Sequence, residues 1–403
     1  QEVSILNPYL ASGTKDFHGA SLIVEPLLEF NQDSELVPVL AQEIPTLENG
    51  GISEDLKSIT YKLLPDVVWA DGTPLTADDF VFTWQFCTNE LTGCTVQNFV
   101  GTENVEAVDP STVKITFAEA TPYPYIPFVG YLSPVLQKAQ FENCVGEAAQ
   151  ACSEQNTNPI GTGPYKPETN EVGVKQVLVK NTDHAWWGTA VYGGPYLDRI
   201  EYIDLGTDTA AVQAAAEADE IDATYQTRGD FVAVFDGLGW AKTEAVTSAT
   251  VAIRWNQDSD LYKDVNVRKG LQMMVNNATV LELGYANLGK PAENHHVCPI
   301  HPEYAELPPL TVDPAAAKQA IADAGHADTE FELISIDDSW QAGTCDAVAA
   351  QIRDAGIKIK RTILPGSTFW NDWTKFPFSA TEWNMRPLGV QVLSLAYRTG
   401  EAW

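Results

Sequence analysis

A change of hydrophobic period near residue 250 constrains this chain more than any other feature. Beyond it, apolar residues recur first at helical spacing and then as strands, in alternation. Asp264 stands as a helix cap ahead of Val267, Leu271, Met274 and Val275. Asp313-Pro314 caps and opens a second helix, which Gly325 stops. Phe331 to Ile336 is predicted to be a strand; the helix after it runs to Ala355 and ends at Gly356, and Ile357, Ile359 and Ile363 mark another strand. Helix, strand, helix, strand in succession builds a parallel α/β layer.

The first half follows a period of two. Ile59, Tyr61 and Leu63 alternate with polar neighbours, as do Val113, Ile115 and Phe117, which predicts half-buried antiparallel strands. Asp71-Gly72 is a tight turn ahead of a helix that starts at Thr76. Asp79 stands three residues after Thr76 in a capping-box arrangement, and Phe80, Val81, Phe82 and Trp84 supply the apolar surface.

A length of 403 residues is enough for two or three domains. Lys and Arg number 24 against 55 Asp and Glu, a net charge of −31. Such a surface repels phosphate backbones and anionic headgroups, which argues against nucleic-acid and membrane-surface partners. Solubility in a salty medium accounts for the charge; an acidic face drawing cationic ligands is the alternative. No stretch approaches the roughly 20 apolar residues of a membrane span. The chain opens polar, at Gln1-Glu2-Val3, with no export signal visible. Such a signal would have been cleaved from a mature secreted protein, so its absence is neutral, and a periplasmic location would imply its removal.

Cys87 and Cys94 flank TNELTG, Cys144 and Cys152 flank VGEAAQA, and Cys298 and Cys345 are left over. Two close pairs and one remote pair predict three disulfides and an oxidising compartment. Metal binding is the rival reading at His295-His296-Val297-Cys298-Pro299-Ile300-His301, but the spacing matches no standard zinc pattern, so neither metal nor cofactor is expected. Gly-x-Ser-x-Gly, His-Glu-x-x-His and the Gly-x-x-x-x-Gly-Lys-Ser/Thr phosphate loop are all missing, which lowers the odds of an enzyme. Gly161-Thr162-Gly163 runs straight into Pro164 and reads as a turn.

Four segments together resemble the family 5 extracellular solute-binding proteins, which serve oligopeptide, dipeptide, nickel and related importers. They are ITYKLLPDVVWADGTPLTADDFVFTW from Ile59 to Trp84, Asn158 to Tyr165 with its Gly-Thr-Gly-Pro-Tyr turn, Ala218 to Asp222, and Val267 to Leu271 followed by Met274-Val275-Asn276. The resemblance implies an α/β, two-lobe periplasmic binding protein fold (type II, cluster C-like) with an extra β-rich subdomain on lobe one. It assigns residues 1–45 and 160–250 to lobe one, 46–159 to the subdomain and 251–403 to lobe two. The family's C-terminal return to lobe one is expected to be absent, because the chain stops at Glu401-Ala402-Trp403.

The family's peptide binders place a Trp-x-x-Asp carboxylate on the ligand's amino terminus. The matching stretch here is Glu382-Trp383-Asn384-Met385-Arg386-Pro387, with Arg386 where the acid would be. An ammonium group beside a buried guanidinium meets like charge with little screening. A carboxylate, phosphate or polyol suits the planar fork of Arg; a structural ion pair is the bland alternative. The resemblance further points to Trp383, Asn384, Trp370, Trp373, Trp255 and Tyr397 as cleft residues, and to Arg254 and Asn256 on the other face of a crossover strand from Trp255. Near the N-terminus it points to Lys15, Asp16 and Phe17. The function implied is periplasmic capture of a small molecule or short peptide by a monomer, and delivery to an ABC permease in the inner membrane. A stand-alone receptor or chaperone, or a secreted hydrolase, are the rivals.

Overall fold

The computed structural model describes residues 3–11, 14–95, 98–206, 209–225, 227 and 231–397, without the side chains of 14, 15, 209, 339, 367, 394 and 395. The chain divides into two compact units between Gly206 and Thr207.

The first unit carries three antiparallel sheets among its described residues. β1 (Leu28–Phe30) pairs with β2 (Leu36–Pro38). β3 (Ser58–Lys62), β4 (Thr102–Asp109) and β5 (Thr112–Phe117) form a sheet in the order β3-β5-β4. β6 (Tyr165–Glu171), β7 (Lys175–Lys180) and β8 (Arg199–Ile203) follow in sequence order. The alternation seen in the sequence is physical: Ile59, Tyr61, Val113 and Ile115 are fully buried in one apolar core. The helix Ala77–Thr88 covers that core, with Phe80 edge-on to Phe128 and Phe86 edge-on to Phe141. Each such ring contributes on the order of 2–3 kcal/mol by leaving water. The helix starts where Asp79 Oδ2 accepts the Thr76 amide at 3.0 Å, while Asp79 Oδ1 accepts the Lys138 amide at 2.9 Å. One carboxylate thus caps a helix and pins a remote loop.

The Gly161-Thr162-Gly163 turn needs its glycines for close approach. A Cβ on Gly161 would lie 1.7 Å from the Ile23 carbonyl oxygen, and one on Gly163 would lie 2.5 Å from that of Leu22. Between them Thr162 Oγ1 donates to Glu25 Oε2 at 2.6 Å, and Trp186 and Trp187 donate their indole N–H groups to the same carboxylate at 3.0 and 2.9 Å.

Among its described residues the second unit holds one sheet, in the order β11-β10-β12-β9, from β9 (Thr250–Trp255), β10 (Phe331–Ile336), β11 (Ile359–Leu364) and β12 (Phe378–Trp383). β10 is parallel to both neighbours, as the helix–strand alternation requires, and β9 adds an antiparallel edge. The predicted caps form: Asp264 Oδ1 accepts the Asn266 amide at 2.7 Å, and Asp313 Oδ1 accepts the Ala316 amide at 2.9 Å. Helices Val265–Met273, Pro314–Asp323 and Ser339–Asp354 bury Val267, Leu271, Ala317, Ile321, Val348 and Ile352 against Phe331, Leu333, Phe378 and Ala380. No helix among the described residues is long and apolar enough to cross a membrane.

Cys87–Cys94 and Cys144–Cys152 are disulfides. The third expected bond is corrected: Cys298 and Cys345 are both free thiols. Cys345 points from its helix into the apolar core, where burial pushes its thiol up to about 12. Cys298 belongs to a loop whose local bonds hold it elsewhere, its amide donating to His301 Nδ1 at 2.9 Å.

Candidate functional site

β9 and β12 run side by side with Arg254 opposite Ser379, Ala252 opposite Thr381 and Thr250 opposite Trp383. Because side chains alternate across a strand, the two faces of this ribbon differ in chemistry. Val251, Ile253, Trp255, Phe378 and Ala380 face the core, where Trp255 stacks on Phe378 with ring centroids 5.7 Å apart. The other face presents Ala252, Arg254, Ser379, Thr381 and Trp383. Arg254 is 4% exposed, Ser379 0% and Thr381 1%. The Ser379 and Thr381 hydroxyls are buried without a hydrogen-bond partner.

Arg254 Nη2 donates to the Trp373 carbonyl at 2.7 Å, and its guanidinium lies 5.7 Å from the centre of the Trp373 ring. Burial pulls the guanidinium down to about 10, with the nearby Tyr397 phenol acting the other way. It therefore remains a cation at neutral pH. Asn256 points with Arg254, donating to the Thr374 carbonyl at 3.3 Å. Trp370 is half exposed and packs on Trp373.

A loop from His295 to Tyr304 closes one end of this face. His301 Nδ1 accepts the Cys298 amide, so Nε2 carries the proton and donates to the Arg386 carbonyl at 3.2 Å. His296 Nε2 meets the Tyr397 hydroxyl at 3.0 Å, and its ring lies edge-on to Trp383, 5.8 Å away. Burial, then the charges of His295 and His301, hold His296 down to about 4, so it is neutral at pH 7. The loop sits close on the start of helix Gly389–Ala396: a Cβ on Gly389 would lie 2.6 Å from Val297 Cα and 2.8 Å from the His296 carbonyl oxygen. Among the described residues, no three His, Cys, Asp or Glu side chains converge to hold a metal.

The structure thus brings Arg254, Asn256, Trp373, Trp383 and Tyr397 together on one side of one sheet, with Asn384 and Arg386 on the segment that leaves β12. Trp255 lies on the opposite side. In the first unit, Asp16 is buried and its Oδ1 accepts the Ser4 amide and hydroxyl at 2.7 and 3.0 Å, and Phe17 packs edge-on to Tyr131. The Lys15 side chain lies outside the described residues. Sequence reasoning did not single out Ser379, Thr381 and His296 as site residues. The available signal was the placement of hydroxyls at alternate positions of FSATEW, out of phase with Phe378 and Ala380. Chemically, a buried cation, two open hydroxyls and aromatic walls suit a polar, acid-bearing small molecule.

Residues 35–400 match the profile of the bacterial extracellular solute-binding proteins, family 5 (middle). A "Probable ABC transporter-binding protein" of Deinococcus radiodurans is 24% identical over 370 residues, covering 84% of this chain and 60% of that protein. The chain spans about three fifths of the length of the curated relatives first matched, 60% and 57%. NikZ of Campylobacter jejuni, solved in complex with Ni(L-His), superposes with a TM-score of 0.78 at 23% identity, over 98% of this chain and 78% of that one. MoaA of A. tumefaciens R10, solved with mannopinic acid, superposes with a TM-score of 0.76 at 20% identity, over 100% of this chain and 80% of that one. These likenesses establish the α/β, two-lobe periplasmic binding protein fold. With nearly its whole length matched, the chain belongs to family 5 of the bacterial extracellular solute-binding proteins.

Proposed function

We propose that this protein captures a solute in the periplasm and hands it to the permease of an ABC importer in the inner membrane, acting as a monomer and making or breaking no bond. The observation that carries this reading is the family match over residues 35–400. Residues 1–45 and 160–250 act as lobe one, 46–159 as its subdomain and 251–403 as lobe two. The solute binds the open form and favours a closed one, for which a differential affinity of a few kcal/mol suffices.

The cargo is peptide-, opine- or oligosaccharide-like, and Arg386 anchors its anionic or polyol group. Two observations support that role: Arg386 stands three residues after Trp383, and His301 holds its carbonyl in place. The likeness to a protein solved with mannopinic acid fits an acidic, polyhydroxylated solute. Mass spectrometry of small molecules released on denaturing the purified protein tests this. A single acidic or polyhydroxylated species is expected, with at least a tenfold loss of its affinity in Arg386→Ala. A mixture of ordinary peptides with free amino termini would keep the import reading and remove Arg386 as anchor. Catalytic turnover of a released species would overturn the import reading.

A further inference from the structure

We infer that Arg254, Ser379 and Thr381 form a second polar subsite, one that takes a carboxylate of the bound solute; the inference rests on the solute-binding reading above. It starts from two hydroxyls. Ser379 Oγ and Thr381 Oγ1 are buried, and neither has a hydrogen-bond partner. Buried polar groups in folded proteins are almost always paired, so two adjacent exceptions on one strand face call for a missing partner, and beside the cation of Arg254 that partner is an acceptor. β pairing sets Ser379 directly across from Arg254, and Thr381 is the next residue on the same face.

The charge of Arg254 selects what that acceptor is. The Trp373 carbonyl and ring hold the guanidinium against the sheet. A planar carboxylate can then take N–H donors from Arg254 and an O–H donor from each hydroxyl. Trp383 and Tyr397 supply apolar walls for the rest of the molecule. A neutral amide offers one acceptor oxygen and no negative charge to the guanidinium, so it binds there more weakly than the carboxylate.

Two measurements test this. In the solute-free full chain, the Ser379→Ala, Thr381→Val double variant should melt at or above the wild-type temperature, because it removes hydroxyls that make no bond. A fall of several degrees would show that the fold uses them, and the subsite is lost. Wild type and variant are also titrated with short dicarboxylates and N-acylated amino acids, each beside its primary amide. Carboxylates should bind at least about tenfold more tightly than their amides, and the variant should lose at least about fivefold for the carboxylates alone. Equal binding of acid and amide, or an unchanged variant, overturns the subsite while leaving solute capture intact. If no carboxylate binds the wild type, the subsite also falls, and the released-solute measurement decides separately whether solute capture stands.

Discussion

The Glu25 cluster of the first unit and the Arg254 face of the second both bury polar groups, but they resolve the cost of doing so in opposite ways. Glu25 is 6% exposed, and its carboxylate accepts hydrogen bonds from Thr162, Trp186 and Trp187. On β12, the Ser379 and Thr381 hydroxyls are equally buried with no bond at all. A polar group whose bonds are all made inside the fold is a structural tie. One whose bonds are left open holds hydrogen-bonding capacity in reserve for something that arrives later. The units differ in the same sense covalently: both disulfides lie in the first, and both free thiols in the second.

Reduction should widen that contrast most. The two disulfides close loops whose ends are 7 and 8 residues apart, and chain entropy predicts a loss of about 2.5 kcal/mol for each when it is opened. Hydrogen exchange with reductant should therefore quicken through residues 77–157 and leave β9 to β12 unchanged. Equal loosening of both units would mean that they do not unfold separately. Glu25→Ala comes next. It strands two indole N–H groups and a threonine hydroxyl, at a cost of about 3 kcal/mol in urea unfolding. Glu25→Gln keeps an acceptor and should cost less than half as much.

How much of this was legible in the sequence depends on whether the cause is local. Caps at Asp264 and Asp313 and the strand Phe331–Ile336 are set by neighbours a few residues away, and all formed as read. The two close cysteine pairs are local in the same sense. Cys298 and Cys345 are not, since pairing across 47 positions depends on which way a helix faces, and Cys345 faces the core. The resemblance places Arg254 on a crossover strand, and alternation puts Trp255 on its other side, where it stands. Ser379 and Thr381 did not stand out. Their meaning comes from the strand that lies beside them, and β9 is more than 120 residues away in the chain.

Gly389→Ala probes the loop that closes the second unit's polar face. Its new Cβ would press on the Val297 backbone, forcing His295–Tyr304 outward at a cost of about 1–3 kcal/mol. His296 should then part from Tyr397, and the affinity for the released solute should fall several-fold. Unchanged affinity together with faster exchange in the loop would separate the loop from binding.

Acidification gives the smallest effect, and it should move the two units in opposite directions. Burial raises Glu29 to about 7 and also raises Glu25 and Asp79, all in the first unit. A carboxyl with a folded pKa above its unfolded value binds its proton more tightly in the folded state. Its contribution therefore becomes more favourable as pH falls from about 7 through the ordinary 4.5. His18, lowered to about 4 by burial, opposes this within the same unit. In the second unit burial lowers both His296, to about 4, and His301. The unfolded imidazole takes its proton first, near 6.5, so stability is full above that value and is lost as pH falls toward 4. Each group can contribute at most about 1.4 kcal/mol per pH unit. Between about pH 7.5 and about pH 5.5, exchange in the His295–Tyr304 loop should therefore quicken relative to the Glu25 and Glu29 surroundings. Replacing His301 by Gln, which keeps an acceptor and a donor but cannot titrate in this range, should remove part of that difference. If the pH response is the same in both units, surface charge and not these buried groups governs it.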